Sequence, residues 1–134
     1  MKVPLKRTLI LAFAALATNV DGSAVVGKAP FAGTVTGVDF IPNAAITGQD
    51  TNTRRVAVTN RGSAGLGTAE AAFLQFNNGV NAVKWDAKAI TLHTTPANLV
   101  VAAGDVLTID STTPGTGLAD PGGLYVIEIT RDGA

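Results

Sequence analysis

The sequence has 134 residues, no cysteine, and ten basic residues against ten acidic ones. A chain of this length typically forms one domain with a core of its own. The lack of cysteine excludes disulfides, thiol nucleophiles, cysteine-ligated zinc and iron–sulfur clusters. The first 28 residues hold four basic residues and one acidic residue, a net charge of +3, whereas the remainder holds six and nine, a net charge of −3. This acidic remainder predicts no direct nucleic-acid partner, which would need a basic patch.

The composition favours strands over helices. Gly, Ala, Thr and Val are frequent, while Glu and Lys, which long helices use, are scarce. Small and β-branched side chains fit the pleated surface of a sheet. We therefore predict an all-β protein.

The N-terminal residues have the features of a secretory signal. Basic residues come first, an apolar stretch runs from Leu9 to Leu16, and Ala15-Leu16-Ala17 is a small-residue cleavage site. On this interpretation residues 1–17 are a signal peptide. The stretch is too short to cross a bilayer, which needs about 20 apolar residues, so we expect no membrane partner.

The same residues also fit a strand. Leu9, Leu11 and Phe13 fall on one face at a period of two. We prefer this interpretation and predict that residues 1–28 form an extended N-terminal arm that carries an apolar strand. The arm is then part of the mature protein and docked on the rest of it.

Turn signals divide the next part of the chain into short strands. On the second of them we expect Thr34, Thr36, Val38 and Phe40 to share a face. Residues 42–53 are polar and are predicted to form a long loop. The strands predicted up to this point and just beyond it are Ala24–Val26, Thr34–Ile41, Arg54–Thr59 and Thr68–Phe76.

The strand Thr68–Phe76 is followed by Asn77-Asn78-Gly79, a hairpin turn signal. We therefore predict Val80–Trp85 as its hairpin partner. Further strands are expected around Ile90 and Leu92, and at Leu99–Ala102, Val106–Asp110 and Leu124–Arg131. Eight or nine short strands separated by turns are typical of a β-sandwich or jelly roll, with residues 29–134 as its body.

The sequence offers no convincing catalytic or metal site. The single histidine, His93, is predicted on the outward face of a strand, and none of the three serines lies in a nucleophile motif. Asp110 and Asp120 could bind calcium in the 112–123 loop, but no EF-hand spacing supports this. The glycine loops have no Walker lysine. We predict no catalytic, cofactor-binding or metal-binding residue and no enzymatic activity.

Two aromatic residues leave an alternative open. Trp85 and Tyr125 could form a platform on which a sugar ring stacks, as in a carbohydrate-binding module. Trp85 shares the parity of Val83, however, and we expect it to anchor the core instead.

Several segments resemble the small head-decoration, or capsid cement, proteins of tailed bacteriophages. The similar segments are residues 5–11, 25–36, 51–54, 100–107 and 115–123, which together form a pattern of turns and strands without a chemical motif. The resemblance implies a β-sandwich or jelly roll that binds the exterior of an assembled capsid, commonly as a trimer. It implies the major capsid protein and further copies of this chain as partners, and no catalytic residues.

The expected function is therefore that of a structural protein on the outside of a virion, which cements neighbouring capsomers. The alternative is a secreted bacterial β-sandwich module for carbohydrate binding or surface adhesion. We expect contacts with the capsid or with other subunits to come from the N-terminal arm, through Lys2, Lys6, Arg7, Leu9, Leu11 and Phe13.

Overall fold

The computed structural model describes residues 5–114 and 117–132. This part of the chain forms ten strands, three of them only two residues long, and one short 3₁₀ helix at Pro96–Leu99. The strands are β1 (Lys6–Phe13), β2 (Gly22–Lys28), β3 (Gly33–Pro42), β4 (Arg55–Asn60), β5 (Ala69–Gln75), β6 (Lys88–Ala89), β7 (Thr91–Leu92), β8 (Val100–Val101), β9 (Val106–Thr112) and β10 (Gly123–Arg131).

The strands form two antiparallel sheets, which confirms the predicted all-β sandwich. The first sheet has the order β1-β10-β3-β6, and β8 also pairs with β3. The second sheet has the order β2-β9-β4-β5-β7. Their inner faces bury one continuous core, because apolar residues alternate with polar ones along most strands. Alternation along the two predicted strands Val106–Asp110 and Leu124–Arg131 places five residues on inward faces, and all five are buried: Leu107, Ile109, Tyr125, Ile127 and Ile129.

The first 28 residues supply an edge strand to each sheet. β1 pairs with β10 over eight residues, and β2 pairs with β9. Leu9 and Leu11 pack against the core, and only 6% of Phe13 is exposed. The three residues thus share one face, as predicted, and this face is directed at the core. The topology does not separate an arm from a body at residue 28, because neither sheet is complete without a strand from this segment.

A bulge in β3 places Thr34 and Thr36 on the face opposite to the predicted one. Thr36 is exposed, whereas Val35, Val38 and Phe40 are buried. The register against β10 shifts between Glu128 and Ile129, so Thr36 is an extra residue in the ladder. The expectation that Thr34 and Thr36 share a face with Val38 and Phe40 was therefore wrong.

The hairpin predicted after β5 is not formed. The turn itself exists, since the Val80 N–H donates to the Asn77 carbonyl at 2.9 Å. The residues beyond it do not pair with β5, whose two neighbours are β4 and β7. Instead, Ala82 forms an isolated bridge with Ile46 of the 42–53 loop. The chain then passes from the first sheet, through β6, to the second, through β7, with the buried Ile90 at the crossing.

Arg54 joins several connecting segments inside the protein. Its side chain is fully buried. Its Nε donates to the Leu118 carbonyl at 2.7 Å, and one Nη donates to Ser111 Oγ at 2.9 Å. The other Nη donates to the carbonyls of Ala17 and Val20, both at 3.2 Å. A planar guanidinium with five donors can bind all these acceptors at once, so it fixes the β1–β2 connection to the loop before β10.

The Ser111 hydroxyl links Arg54 to the buried carboxylate of Asp120 by hydrogen bonds. Ser111 Oγ donates to Asp120 Oδ2 at 2.7 Å, and the Gly122 N–H donates to Asp120 Oδ1 at 2.8 Å. Burial lowers the pKa of Arg54, and the negative charge of Asp120 counteracts this. Asp120, which was considered for calcium, is therefore engaged in an internal polar network.

Candidate functional site

The outer face of the first sheet carries a patch of apolar side chains. Register pairs place Ile10 of β1 beside Val126 of β10, and Ala12 beside Leu124, which in turn pairs with Ile41 of β3. Residues directly opposite in an antiparallel pair point to the same face. Because the inward positions of these strands belong to the core, these five residues face outward. We call them the outer patch. Ile10 and Ala12 are exposed, with 57% of the surface of Ile10 accessible, and the other three are half-buried.

The strands that carry the outer patch do not have the sequence pattern usual for a sheet with one solvent-exposed face. Such strands alternate apolar and polar residues, whereas strands covered on both faces read as continuous apolar runs. Leu9–Phe13 in β1 and Leu124–Ile127 in β10 are runs of this second kind. The sequence of these strands is therefore typical of a sheet whose outer face is also covered.

Polar and charged groups border the outer patch on two sides. Asp39 of β3 is exposed and pairs with Val126, so it lies on the same face beside the patch. Lys6 Nζ lies 3.6 Å from Glu128 Oε1. The Thr36 hydroxyl donates to the same carboxylate at 2.7 Å and lies 2.9 Å from the Thr130 hydroxyl. The hydrogen bond from Thr36, with a smaller effect of Lys6, lowers the pKa of Glu128. Arg7 is exposed and makes no ion pair within the described residues.

The predicted contact residues have different positions. Lys6 and Arg7 are exposed. Leu9, Leu11 and Phe13 contact the core of their own chain, so they fix β1 in place and do not present it to a partner. Lys2 lies outside the described residues. Sequence reasoning missed the outer patch, although the uninterrupted apolar runs were a readable signal for it.

The outer face of the second sheet is polar and internally paired. Arg55 binds Glu70 through two hydrogen bonds of 2.6 Å, and its guanidinium lies 4.6 Å from the centre of the Phe73 ring. Arg61 and Thr59 both donate to Asp110, at 2.8 and 2.6 Å. This face contains satisfied ion pairs, and no apolar patch interrupts it in the described strands.

The groups considered for chemistry occupy separate structural positions. His93 accepts a hydrogen bond from the Thr95 N–H through Nδ1 at 3.0 Å and contacts the Phe73 ring by its edge. Asp105 accepts from Asn60 and from the Ala102 N–H. Among the described residues there is no pocket and no group of three or more acidic or histidine side chains suited to a metal.

The prediction for Trp85 was wrong. Trp85 is 72% exposed, and its backbone has a left-handed φ of 64°. Lys84 Nζ lies 4.1 Å from the centre of its ring. Tyr125 is buried in the core and stacks on Phe40 at 4.5 Å, so it cannot form a sugar platform with Trp85. Parity failed as a guide because this segment is not a strand and has no pleat.

Comparison with known proteins gave no relative: no family model, no curated protein and no solved structure matches the chain. Within residues 5–114 and 117–132, no helix is long and apolar enough to cross a membrane.

Proposed function

We propose that the chain is a non-enzymatic structural protein of a virion, which binds the outer surface of a bacteriophage capsid and cements neighbouring capsomers. The observation that carries the proposal is the outer patch. Monomeric proteins rarely leave contiguous apolar side chains on a sheet face, and an apolar centre with a polar, charged rim is the usual anatomy of a protein interface. Lys6, Glu128 and Thr36 supply such a rim here.

The partners in this proposal are the major capsid protein and further copies of the chain, assembled as a homotrimer on the capsid exterior. A trimer that engages several sites at once binds far more strongly than one subunit. A protein that binds the assembled shell, and not its free subunits, shifts the equilibrium toward the shell. Added interface is then the whole mechanism, with no chemical change in a substrate.

The contacts are assigned to Lys6 and Ile10 on the outer face, and to Arg7 and Lys2 on the sequence prediction alone. Arg7 pairs with the inward-facing Ile129, so it lies on the other side of β1 from the outer patch. Leu9, Leu11 and Phe13 take an indirect part, because they anchor β1 so that the opposite side of the strand is presented.

The experiment that tests the proposal compares two matched variants for binding to heads assembled without the protein. Ile10→Asp places a charge in the outer patch, while Val25→Asp places one on the other edge strand, β2, at a residue of similar exposure (57% against 61%). We expect Ile10→Asp to reduce occupancy strongly and Val25→Asp to leave it unchanged. Full occupancy by the Ile10 variant, with both variants folded, would contradict the outer patch as the contact.

A second measurement follows particle stability. Heads with bound protein should release their DNA at a higher temperature than bare heads, and the protection should increase as sites fill. Equal release temperatures at full occupancy would remove the cementing function.

A secreted bacterial β-sandwich module for carbohydrate binding or adhesion is a second candidate, favoured by the exposed Trp85. In that case residues 1–17 would be cleaved as a signal peptide. Mass spectrometry of native material distinguishes the two: a chain that begins at Thr18 supports secretion, and a chain that retains residues 1–17 supports the capsid protein.

A further inference from the structure

The turn between β5 and the Ala82 bridge contains the sequence Asn78-Gly79, and no other asparagine in the chain precedes a glycine. Both residues are exposed. The side-chain amide of Asn78 and the backbone nitrogen of Gly79 make no hydrogen bond within the described residues. Gly79 has a φ of +88°, with open space around the position that a Cβ would take. The backbone on the C-terminal side of Asn78 is therefore unshielded.

We propose that Asn78 is a site of spontaneous deamidation, which changes the charge of the protein with age. The backbone nitrogen of Gly79 attacks the side-chain carbonyl carbon of Asn78 and forms a carbon–nitrogen bond. The bond to the amide nitrogen breaks, and this nitrogen leaves as ammonia with the proton from Gly79. Solvent water then opens the five-membered imide at either carbonyl, which gives aspartate or isoaspartate. Glycine permits the attack because it has no Cβ and moves freely in φ.

The pair Asp21-Gly22 shows why hydrogen bonding matters as well as sequence, since Asp21 is exposed too. Asp21 precedes Gly22, but its carboxylate accepts hydrogen bonds from the Thr113 N–H and hydroxyl at 2.8 and 2.9 Å. Gly22 lies in β2, paired with Ser111. A carboxylate and a backbone nitrogen held in this way cannot approach each other easily, so the imide is expected at Asn78 and not at Asp21.

The product would alter the contact between two loops. The Asn78 N–H donates to Asp50 Oδ1 at 3.2 Å, and the neighbouring Gly48 N–H donates to Asn81 at 2.9 Å. Deamidation places a carboxylate on residue 78, whose backbone N–H binds the carboxylate of Asp50. The two negative charges then lie close together and repel each other. The net charge of the chain falls from zero to −1.

Isoaspartate has a further effect, because it lengthens the backbone of the turn by one carbon. The turn packs so closely on the 42–53 loop that a Cβ at Gly48 would overlap the carbonyl oxygens of Asn77 and Val80. A longer turn shifts these carbonyls against Gly48. We therefore expect the aged protein to open locally at residues 46–50 while both sheets remain intact.

The test incubates the folded protein in warm neutral buffer and measures deamidation at each asparagine by peptide mass spectrometry. Asn78 should convert faster than Asn77 and Asn81, with an acidic shift of the isoelectric point and more isoaspartate than aspartate. Asn78→Ser should abolish the shift. The variant Asn77→Asp controls for charge one residue earlier. Freshly purified Asn78→Asp controls for charge without the longer backbone; it is not incubated, because an aspartate before Gly79 can form the same imide.

Hydrogen exchange follows the structural consequence in the same samples. Exchange at residues 46–50 should rise in the aged protein more than in Asn78→Asp, because only isoaspartate lengthens the turn. Conversion of Asn78 no faster than that of Asn77 would overturn the proposal, as would an acidic shift that persists in Asn78→Ser.

Discussion

At the scale of single residues, Tyr125 combines a well-packed ring with an unsatisfied hydroxyl. The ring stacks on Phe40 and meets Phe13 edge to face, but Oη is buried without a hydrogen-bond partner among the described residues. Burial, and next the charge of Asp120, raise the pKa of Tyr125 well above its ordinary value, so the hydroxyl stays protonated. Its desolvation is an uncompensated cost.

Tyr125→Phe should therefore stabilise the protein. The change keeps both ring contacts and removes the unpaired group, so we expect the free energy of unfolding to rise by about 1 kcal/mol. Urea titration followed by far-UV circular dichroism measures this. A loss of stability would mean that Oη has a partner in solution.

Two adjacent arginines offer a matched comparison. Arg54 is fully buried with four acceptors, whereas Arg55 forms a partly exposed ion pair with Glu70. Arg54→Met leaves three partly buried carbonyls and the buried Ser111 hydroxyl without their donor, and Asp120 without the nearby positive charge, so we expect a loss of about 3–5 kcal/mol in unfolding free energy. Arg55→Met should cost about 1 kcal/mol or less. Equal effects of the two variants would contradict the central position of Arg54.

The Arg54 network illustrates what sequence alone does not predict. An arginine at the start of a strand normally reaches solvent, and nothing local shows that Ala17, Val20 and Leu118 will bring carbonyls to it. Those carbonyls come from segments far apart in the chain, so only the tertiary fold creates the site. The prediction for Trp85 was wrong for a different reason. It assumed the alternation of a strand in a segment that forms no strand.

At the scale of elements, alternation predicted the longer strands well. Burial follows a period of two along β1 from Leu9 and along β10, whereas β4 and β9 also bury residues between their inward-facing ones. Prediction failed at the bulge in β3 and missed the two-residue strand β6, which is too short to show a period, whereas β7 and β8 lie within predicted strands. The sequence predicted β1 as an apolar strand that makes contacts. The outer patch could not be predicted in this way, because it depends on how β1, β10 and β3 pair.

Two carboxylates on the outer face of the second sheet, Glu70 and Asp110, make the free energy of unfolding depend on pH. Hydrogen bonds and charge from Arg55 lower the pKa of Glu70. For Asp110, burial raises the pKa, but hydrogen bonds from Thr59 and Ser23 and the charge of Arg61 outweigh this and lower it. A depressed folded-state pKa adds stability that is complete above about pH 5 and is lost as pH falls below about 4.

Unfolding free energy should therefore fall on acidification, and less steeply in the double variant Glu70→Gln with Asp110→Asn. The variant should be less stable than the parent at neutral pH and approach it in acid. Urea titrations across the acid range measure both. Asp86→Asn is the control, since its carboxylate makes no hydrogen bond or ion pair within the described residues. An unchanged slope in the double variant would show that these two pairs do not set acid sensitivity.

At the scale of the whole molecule, the two ends of the chain complete one sheet together. β10, the last strand, lies between β1 and β3, so the first sheet cannot form until both ends are present. Sequence patterns predicted the sandwich but not this adjacency, because the pairing of β1 with β10 joins residues more than a hundred positions apart. The same adjacency places Ile10 beside Val126 and so creates the outer patch.

A chain that begins at Thr18 should lose much of its stability for this reason. The truncation removes all of β1, the buried Phe13 and the Ala17 carbonyl that Arg54 binds, and it leaves β10 as an open edge. Loss of one buried phenylalanine alone costs about 3–5 kcal/mol, against a total stability of about 5–15 kcal/mol for a typical domain. We expect circular dichroism and urea titration to show a poorly folded or aggregating chain. A Thr18 chain that unfolds cooperatively at the parent's urea midpoint would contradict the integral position of β1, and it would make the secreted module the better of the two proposed functions.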